Sequence, residues 1–109
     1  MKDWENLQKL LIQFRDERDW AQFHNAKDLA LALSIEASEL NELFLWKNAE
    51  EADKKKVEEE LADVIAYALL IAEKYNLDIN EIVNNKINRN AEKYPVNKSK
   101  GTAKKYDEL

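Results

Sequence analysis

Apolar residues recur along the chain at the three- and four-residue spacing that is typical of amphipathic helices. The first apolar stripe consists of Leu7, Leu10, Leu11 and Phe14. The same pattern along the rest of the chain predicts four helices. Helix 1 covers residues 3–18 and helix 2 covers residues 26–46. Helix 3 starts between residues 49 and 54 and ends at residue 75, and helix 4 covers residues 79–93. A polar and aromatic connection, residues 19–25, separates the first two.

Residues with known capping preferences support these boundaries. Asn25 is a suitable N-cap for the second helix, and Asp53 is one for the third. Residues 48–51 resemble a capping box, so the third helix can start either there or after Asp53. Residues 78–81 resemble a second capping box, at the start of the fourth helix. Asn76 suits a left-handed C-terminal cap, and Pro95 ends the fourth helix.

The second and third helices are apolar on more than one side. Leu31, Leu33 and Ile35 cannot all face the same neighbour as Leu40 and Leu43. A small chain buries only a limited fraction of its surface, so four helices of this length cannot cover both faces. We therefore predict a homo-oligomer in which helices 2 and 3 pack against copies from another subunit.

Composition favours an all-α fold. The 109 residues include one Gly and one Pro, whereas turn-rich β architectures need many of both. Charged residues make up 36% and hydrophobic residues 45%, a balance that fits packed amphipathic helices and not a disordered chain. We expect one domain over residues 1–109, with a polar C-terminal tail from 96 to 109.

Charge and targeting signals exclude several classes of partner. The net charge is −5 and no basic stripe is present, which argues against binding to duplex nucleic acid. The N-terminal residues 1–5 lack an apolar signal-peptide region, and the longest apolar run, 64–72, is too short to span a membrane. We expect a cytoplasmic protein without disulfides, since the sequence has no Cys.

Two pairs of carboxylates lie within the apolar stretches of helices 2 and 3. Glu36 and Glu39 are one turn apart on helix 2, and Glu60 and Asp63 are one turn apart on helix 3. A short connection favours antiparallel packing of the two helices, which can bring all four groups together. A single pair of this kind is common on solvated helix faces, but two pairs on adjacent apolar helices favour a functional site.

Four ionised carboxylates at one place repel one another, so protons or cations must neutralise them. Magnesium prefers hard oxygen ligands and is usually completed by waters and substrate phosphates. The sequence has no Cys and a single His, which argues against zinc. The acidic pairs therefore predict an Mg²⁺ site.

These acidic motifs resemble the metal-binding signature of the MazG-like, all-α nucleoside triphosphate pyrophosphohydrolases, and most closely the dCTP pyrophosphatase-like branch. The similarity also includes residues 17–24 (ERDWAQFH), 39–47 (ELNELFLWK), 59–64 (EELADV), 93–96 (KYPV) and the tail from 99 to 106. It extends over nearly the whole chain, and its motifs are specific in combination.

The resemblance implies a four-helix, MazG-like bundle that assembles as a tetramer, a dimer of dimers. It implies Mg²⁺-dependent hydrolysis of a nucleoside triphosphate to the monophosphate and pyrophosphate. Glu36, Glu39, Glu60 and Asp63 become the metal ligands. Either Glu36 or Glu39 is then expected to be catalytic, as the acceptor of the attacking water's proton, and the residues leave that choice open.

The resemblance also implies nucleotide-binding residues. For the triphosphate the candidates are Lys86, Asn90, Lys105 and Tyr94, and for the nucleoside they are Trp20, His24, Trp46 and Tyr67. Each has a simpler interpretation: solvated positions for the first group, packing residues for the tryptophans, and a locally hydrogen-bonded loop histidine. Tyr67 lies one turn after Asp63 and so shares the face of the metal pair.

Two features depart from the branch, namely the apolar residues 10–12 where it carries a polar aromatic residue, and the short connection between helices 2 and 3. We expect dCTP or a modified relative as the substrate, in the sanitation of the nucleotide pool. The alternatives are a broader dNTP or dUTP pyrophosphohydrolase, or a non-catalytic helical module that binds nucleotides or protein partners.

Overall fold

A computed structural model describes residues 2–109, with Lys2 described by its backbone alone. Within this range the chain is all helical, which confirms the predicted fold class. The helices are α1 (Lys2–Glu17), α2 (Ala26–Glu42), α3 (Lys54–Lys74), α4 (Ile79–Lys93) and the short α5 (Val96–Ser99). Three 3₁₀ helices are also present, at Ala21–Phe23, Ala49–Glu51 and Tyr106–Glu108. The predicted domain begins at Met1, which lies outside the described residues.

The chain divides into two compact units, one that ends at Leu77 and one that extends from Asp78 to Leu109. In the first unit α3 is central, because both α1 and α2 pack against it. Leu29 of α2 is buried there with three residues of α3, namely Leu69, Leu70 and Ala72. Gln8 of α1 donates a hydrogen bond from Nε2 to the carbonyl of Leu69, at 2.9 Å, and so attaches α1 to the core of α3.

The end of α1 is fixed by a Schellman motif. Asp19 adopts a left-handed conformation with φ of 55°. The amide of Trp20 donates to the carbonyl of Arg15 at 3.0 Å, and the amide of Asp19 donates to that of Asp16 at 3.1 Å. The indole of Trp20 then meets the ring of Phe14 edge to face, with centroids 5.7 Å apart, which is the apolar contact that accompanies this motif.

The start of α2 agrees with the sequence, but its end does not. Asn25 accepts a hydrogen bond from the amide of Asp28 at 2.8 Å, which confirms the predicted N-cap. The prediction that this helix reaches Trp46 is wrong, since α2 ends at Glu42. The next amides bond to carbonyls three residues back, as Leu43 does to Leu40, and Trp46 has a φ of 63°. The tightened turn and the left-handed residue both stop an α-helix.

Both positions proposed for the start of the third helix are used. Residues 49–51 form a separate 3₁₀ turn, in which the amide of Asn48 donates to Glu51 Oε1 at 2.9 Å. The α-helix itself begins at Lys54, after Asp53 accepts a bond from the amide of Lys55. It ends in a second Schellman motif at Asn76, whose φ of 54° confirms the predicted left-handed cap.

In the second unit α4 has the predicted bounds, and Asp78 accepts a bond from the amide of Glu81 at 3.1 Å. The tail is more ordered than its polar composition suggests. The rings of Tyr94 and Tyr106 meet edge to face with centroids 6.2 Å apart, and Lys93 Nζ lies 4.9 Å from the Tyr106 centroid. Among the described helices, none has both the length and the apolar character needed to cross a membrane.

Candidate active site

Three of the four predicted acidic residues converge between α2 and α3. One carboxylate oxygen from each of Glu36, Glu60 and Asp63 lies within 4.8 Å of the others. Glu36 and Glu60 are half-buried and Asp63 is exposed. Glu39, one turn after Glu36, is exposed and lies outside this group of three, although its charge acts on both glutamates.

The crowding of these groups changes their acidity. Burial is the main cause that raises the pKa of Glu36 to about 7, and the nearby Glu39 and Asp63 contribute. Burial likewise raises the pKa of Glu60, with a further contribution from Glu39. In the protein without a bound cation, protons therefore offset part of the repulsion at neutral pH.

The donor set fits a hard divalent metal. Glu36 Oε2 and Glu60 Oε2 are both buried without a hydrogen-bond partner among the described residues. Leaving a buried carboxylate oxygen unpaired is unfavourable, and a cation would satisfy both oxygens at once. All three groups offer oxygen, which suits magnesium or manganese better than zinc.

A cavity of about 330 Å³ adjoins the acidic cluster, and Asp63 belongs to both. Three of the predicted nucleoside-binding residues line it, namely Trp20, His24 and Tyr67. The other lining residues are Leu11, Phe14, Arg15, Ala66 and Leu70. This volume is at the lower end of the range for ligand pockets, and a largely apolar wall with a few polar groups is typical of them.

Comparison with known proteins identifies the family. A family model described as MazG-like matches residues 31–109, which include both acidic pairs. The chain belongs to the MazG-like family. It is 38% identical to dCTP pyrophosphatase 1 of Mus musculus over 113 aligned positions, and 35% identical to the protein of that name from Homo sapiens.

The alignments with the mouse and human proteins include 96% of this chain but 66% of each relative, so the MazG-like chain spans about two thirds of their length. Among solved structures, a pyrophosphatase from Archaeoglobus fulgidus is similar with a TM-score of 0.78 and 39% identity. That match covers 84% of this chain and 91% of the archaeal one, so the helical fold is shared over most of both.

The end of α1 places the aromatic wall of the cavity. Trp20 follows the left-handed Asp19 directly, and the guanidinium of Arg18 covers the ring of Phe14 at 3.6 Å. Phe14 thus contacts both the guanidinium of Arg18 and the ring of Trp20, which limits the orientations open to the indole.

His24 lies on the same wall with a ring nitrogen available. Burial, followed by the charges of Arg15 and Lys74, lowers the pKa of His24 below its ordinary value. The imidazole is therefore neutral at neutral pH. Its Nδ1 is buried and has no hydrogen-bond partner among the described residues, so it is free to bond with a ligand.

Arg15 is a residue of the cavity wall that the sequence interpretation missed. Its side chain is buried, with Nε donating to Asp16 at 2.9 Å and Nη1 donating to Glu73 at 2.8 Å. The bond to Asp16 is the main cause that raises the pKa of Arg15, and burial opposes it. A signal existed, because Arg15 falls four residues after Leu11 on the apolar stripe of α1.

The remaining predicted residues lie elsewhere. Trp46 is 99% exposed and does not line the cavity of its own chain. Lys86 and Asn90 are exposed on α4, and Tyr94 packs on Tyr106. Lys105 is also exposed, and its amide donates to Glu108 Oε1 at 3.3 Å. These four belong to the second compact unit.

Proposed function

We propose that this MazG-like protein hydrolyses a deoxynucleoside triphosphate, with dCTP or a modified dCTP as the preferred substrate, to the monophosphate and pyrophosphate. The observation that carries the proposal is the adjacency of the acidic cluster to the aromatic cavity through Asp63. A nucleotide can then place its base in the cavity and its phosphates at the carboxylates. The relatives named dCTP pyrophosphatase 1 support the choice of substrate.

We assign Glu36, Glu60 and Asp63 as the ligands of Mg²⁺, because their oxygens converge. When bound, the metal would shield phosphate charge and lower the pKa of a water. Glu39 lies one turn after Glu36, outside the group of three but close enough to raise the pKa of both Glu36 and Glu60, and it is our candidate to accept the proton of the attacking water. Of the two residues expected to be catalytic, the geometry thus favours Glu39 as the base and Glu36 as a ligand.

The cavity would hold the base by stacking and by polar contacts. Trp20 and Tyr67 offer aromatic faces, and the neutral His24 offers a buried ring nitrogen. Stacking on an aromatic side chain is worth about 1–3 kcal/mol per base in single-stranded nucleic acids. Lys86, Asn90, Tyr94 and Lys105 remain our proposed contacts to the triphosphate, and Trp46 a proposed contact from another subunit.

We also propose that the protein is a homotetramer in the cytoplasm, where its substrates are found. Large apolar side chains remain exposed on three helices of the first unit, including Leu10 at 62%, Leu31 at 59% and Leu61 at 45%. Apolar side chains left exposed in a single chain are covered where they form an interface between proteins. Sedimentation equilibrium would reveal a monomer if the oligomer is wrong.

Pyrophosphate release from a panel of dNTPs, with and without Mg²⁺, tests the activity. We expect the native protein to turn over dCTP best, and Glu39→Gln and Glu60→Gln to lose at least about a hundredfold in kcat. Glu59→Gln is the matched control, since Glu59 is an exposed neighbour on α3 outside the group of three. If the folded native protein released no pyrophosphate from any dNTP, the proposal would be wrong.

A further inference from the structure

Arg15 is an unusual component of a largely apolar cavity wall. It is 7% exposed, and burial of a guanidinium is costly unless its donors are satisfied. Two of its three nitrogens are satisfied, Nε by Asp16 and Nη1 by Glu73. These bonds also hold the planar group in one orientation across α1 and α3.

The third nitrogen, Nη2, donates to no acceptor among residues 2–109 that the structure describes. It is not sealed off either, since Arg15 has no polar atom that is both buried and unpartnered. Arg15 itself lines the cavity. A charged donor is therefore held in place at the cavity wall with hydrogen-bonding capacity to spare.

We infer that Arg15 is a specificity-determining residue that donates a hydrogen bond to a carbonyl oxygen of the bound nucleobase. The inference rests on the proposed function, which places the base in this cavity. Cytosine, uracil and thymine all carry a carbonyl beside the glycosidic nitrogen, whereas adenine carries none. Arg15 thus selects bases with a carbonyl in this position, which are the pyrimidines, and it does not separate cytosine from uracil.

The chemistry favours a neutral oxygen acceptor. The two carboxylates already balance the guanidinium charge, so a further anion is not required for neutrality. Arg15 is also anchored at Nη1 and Nε, which leaves little freedom to reach a mobile phosphate. A charge-assisted hydrogen bond to a carbonyl is stronger than one between neutral groups.

Binding of dCMP and of 2-deoxyribose 5-phosphate, which lacks a base, separates this role from a structural one. We expect Arg15→Met to weaken dCMP binding by about tenfold to a hundredfold and to leave the baseless sugar phosphate unchanged. If the single variant folds poorly, the double variant Arg15→Met/Glu73→Gln avoids leaving the part-buried Glu73 carboxylate unpaired, while Asp16 is exposed and can be solvated. Glu73→Gln alone keeps the guanidinium and should keep the preference for dCMP.

Calorimetric titration gives these affinities without turnover, and circular dichroism verifies the fold of each variant. An equal loss for both ligands in the folded variants, or no loss for dCMP, would overturn the role of Arg15. Absence of dCMP binding by the native protein would overturn it as well. Failure to hydrolyse any dNTP while dCMP still binds through Arg15 would instead refute the proposed function alone.

Discussion

Binding of Mg²⁺ to the acidic cluster should release a measurable fraction of a proton. The pKa of Glu36 is raised to about 7, chiefly by burial and then by Glu39 and Asp63. A carboxyl group must be ionised to coordinate a metal, so each protonated Glu36 loses its proton when the ion binds. The experiment is therefore to add Mg²⁺ at several pH values and to measure the protons released.

The size of the effect follows from the raised pKa. A group with a pKa of about 7 is roughly half protonated at about pH 7, about nine-tenths at about pH 6 and about one-tenth at about pH 8. Glu36 alone should thus contribute about half a proton per site at about pH 7, and apparent Mg²⁺ affinity should be about tenfold weaker at about pH 6 than at about pH 8.

Isothermal titration calorimetry in two buffers of different ionisation enthalpy measures the released protons directly. Glu59→Gln is again the control, because it removes an acidic group of α3 outside the converging three and should leave proton release unchanged. Two results would refute the reasoning: no proton release at about pH 7, or the same release at about pH 6 and about pH 8.

Three further predictions concern the pocket, the core and the apo protein. Trp20→Ala should weaken dCMP binding by about fivefold to a hundredfold through lost stacking, while binding of 2-deoxyribose 5-phosphate stays the same; equal losses would contradict the stacking role. Leu29→Ala, at a position 1% exposed, should lower the free energy of unfolding by about 2–5 kcal/mol in urea titrations, against less than about 0.5 kcal/mol for the exposed Lys27→Ala. Without divalent cations, the raised pKa of Glu36 means that the native state binds more protons than the unfolded one, so its contribution to stability falls as pH rises from about 4.5 through about 7. Glu36→Gln should flatten this part of the curve of melting temperature against pH, and an unchanged slope would contradict the prediction. The lowered pKa of His24 has the opposite effect, because it makes stability rise with pH in the range just below the ordinary pKa of histidine.

The helices were predictable wherever short-range patterns decide them. Asn25, Asp78 and Asn76 act locally through their own side chains or backbone, and each has the predicted role in the structure. The end of α2 was not predictable, because the apolar pattern continues through Phe44 and Leu45 although the backbone has already tightened. Hydrophobic periodicity reports which residues avoid water and not where the hydrogen bonding changes.

The site was predictable in type more than in geometry. Spacing along α2 and α3 indicated that acidic groups would meet, but only coordinates could show that Glu36 and Glu60 approach Asp63 while Glu39 stays outside. Arg15 was missed because its partner Glu73 lies 58 positions away, and no local pattern links the two.

The Schellman motif at the end of α1 separates the shape of the main chain from the chemistry of the pocket. The hydrogen bonds of the turn at Asp19 join amide and carbonyl groups, so they do not require a particular side chain at position 20, although the contact of Trp20 with Phe14 would be lost. That position can consequently be exchanged for a smaller ring, an aliphatic group or an amide while the scaffold keeps its course. A library restricted to this one codon would therefore vary the wall of the proposed base pocket without changing the backbone hydrogen bonds that place it.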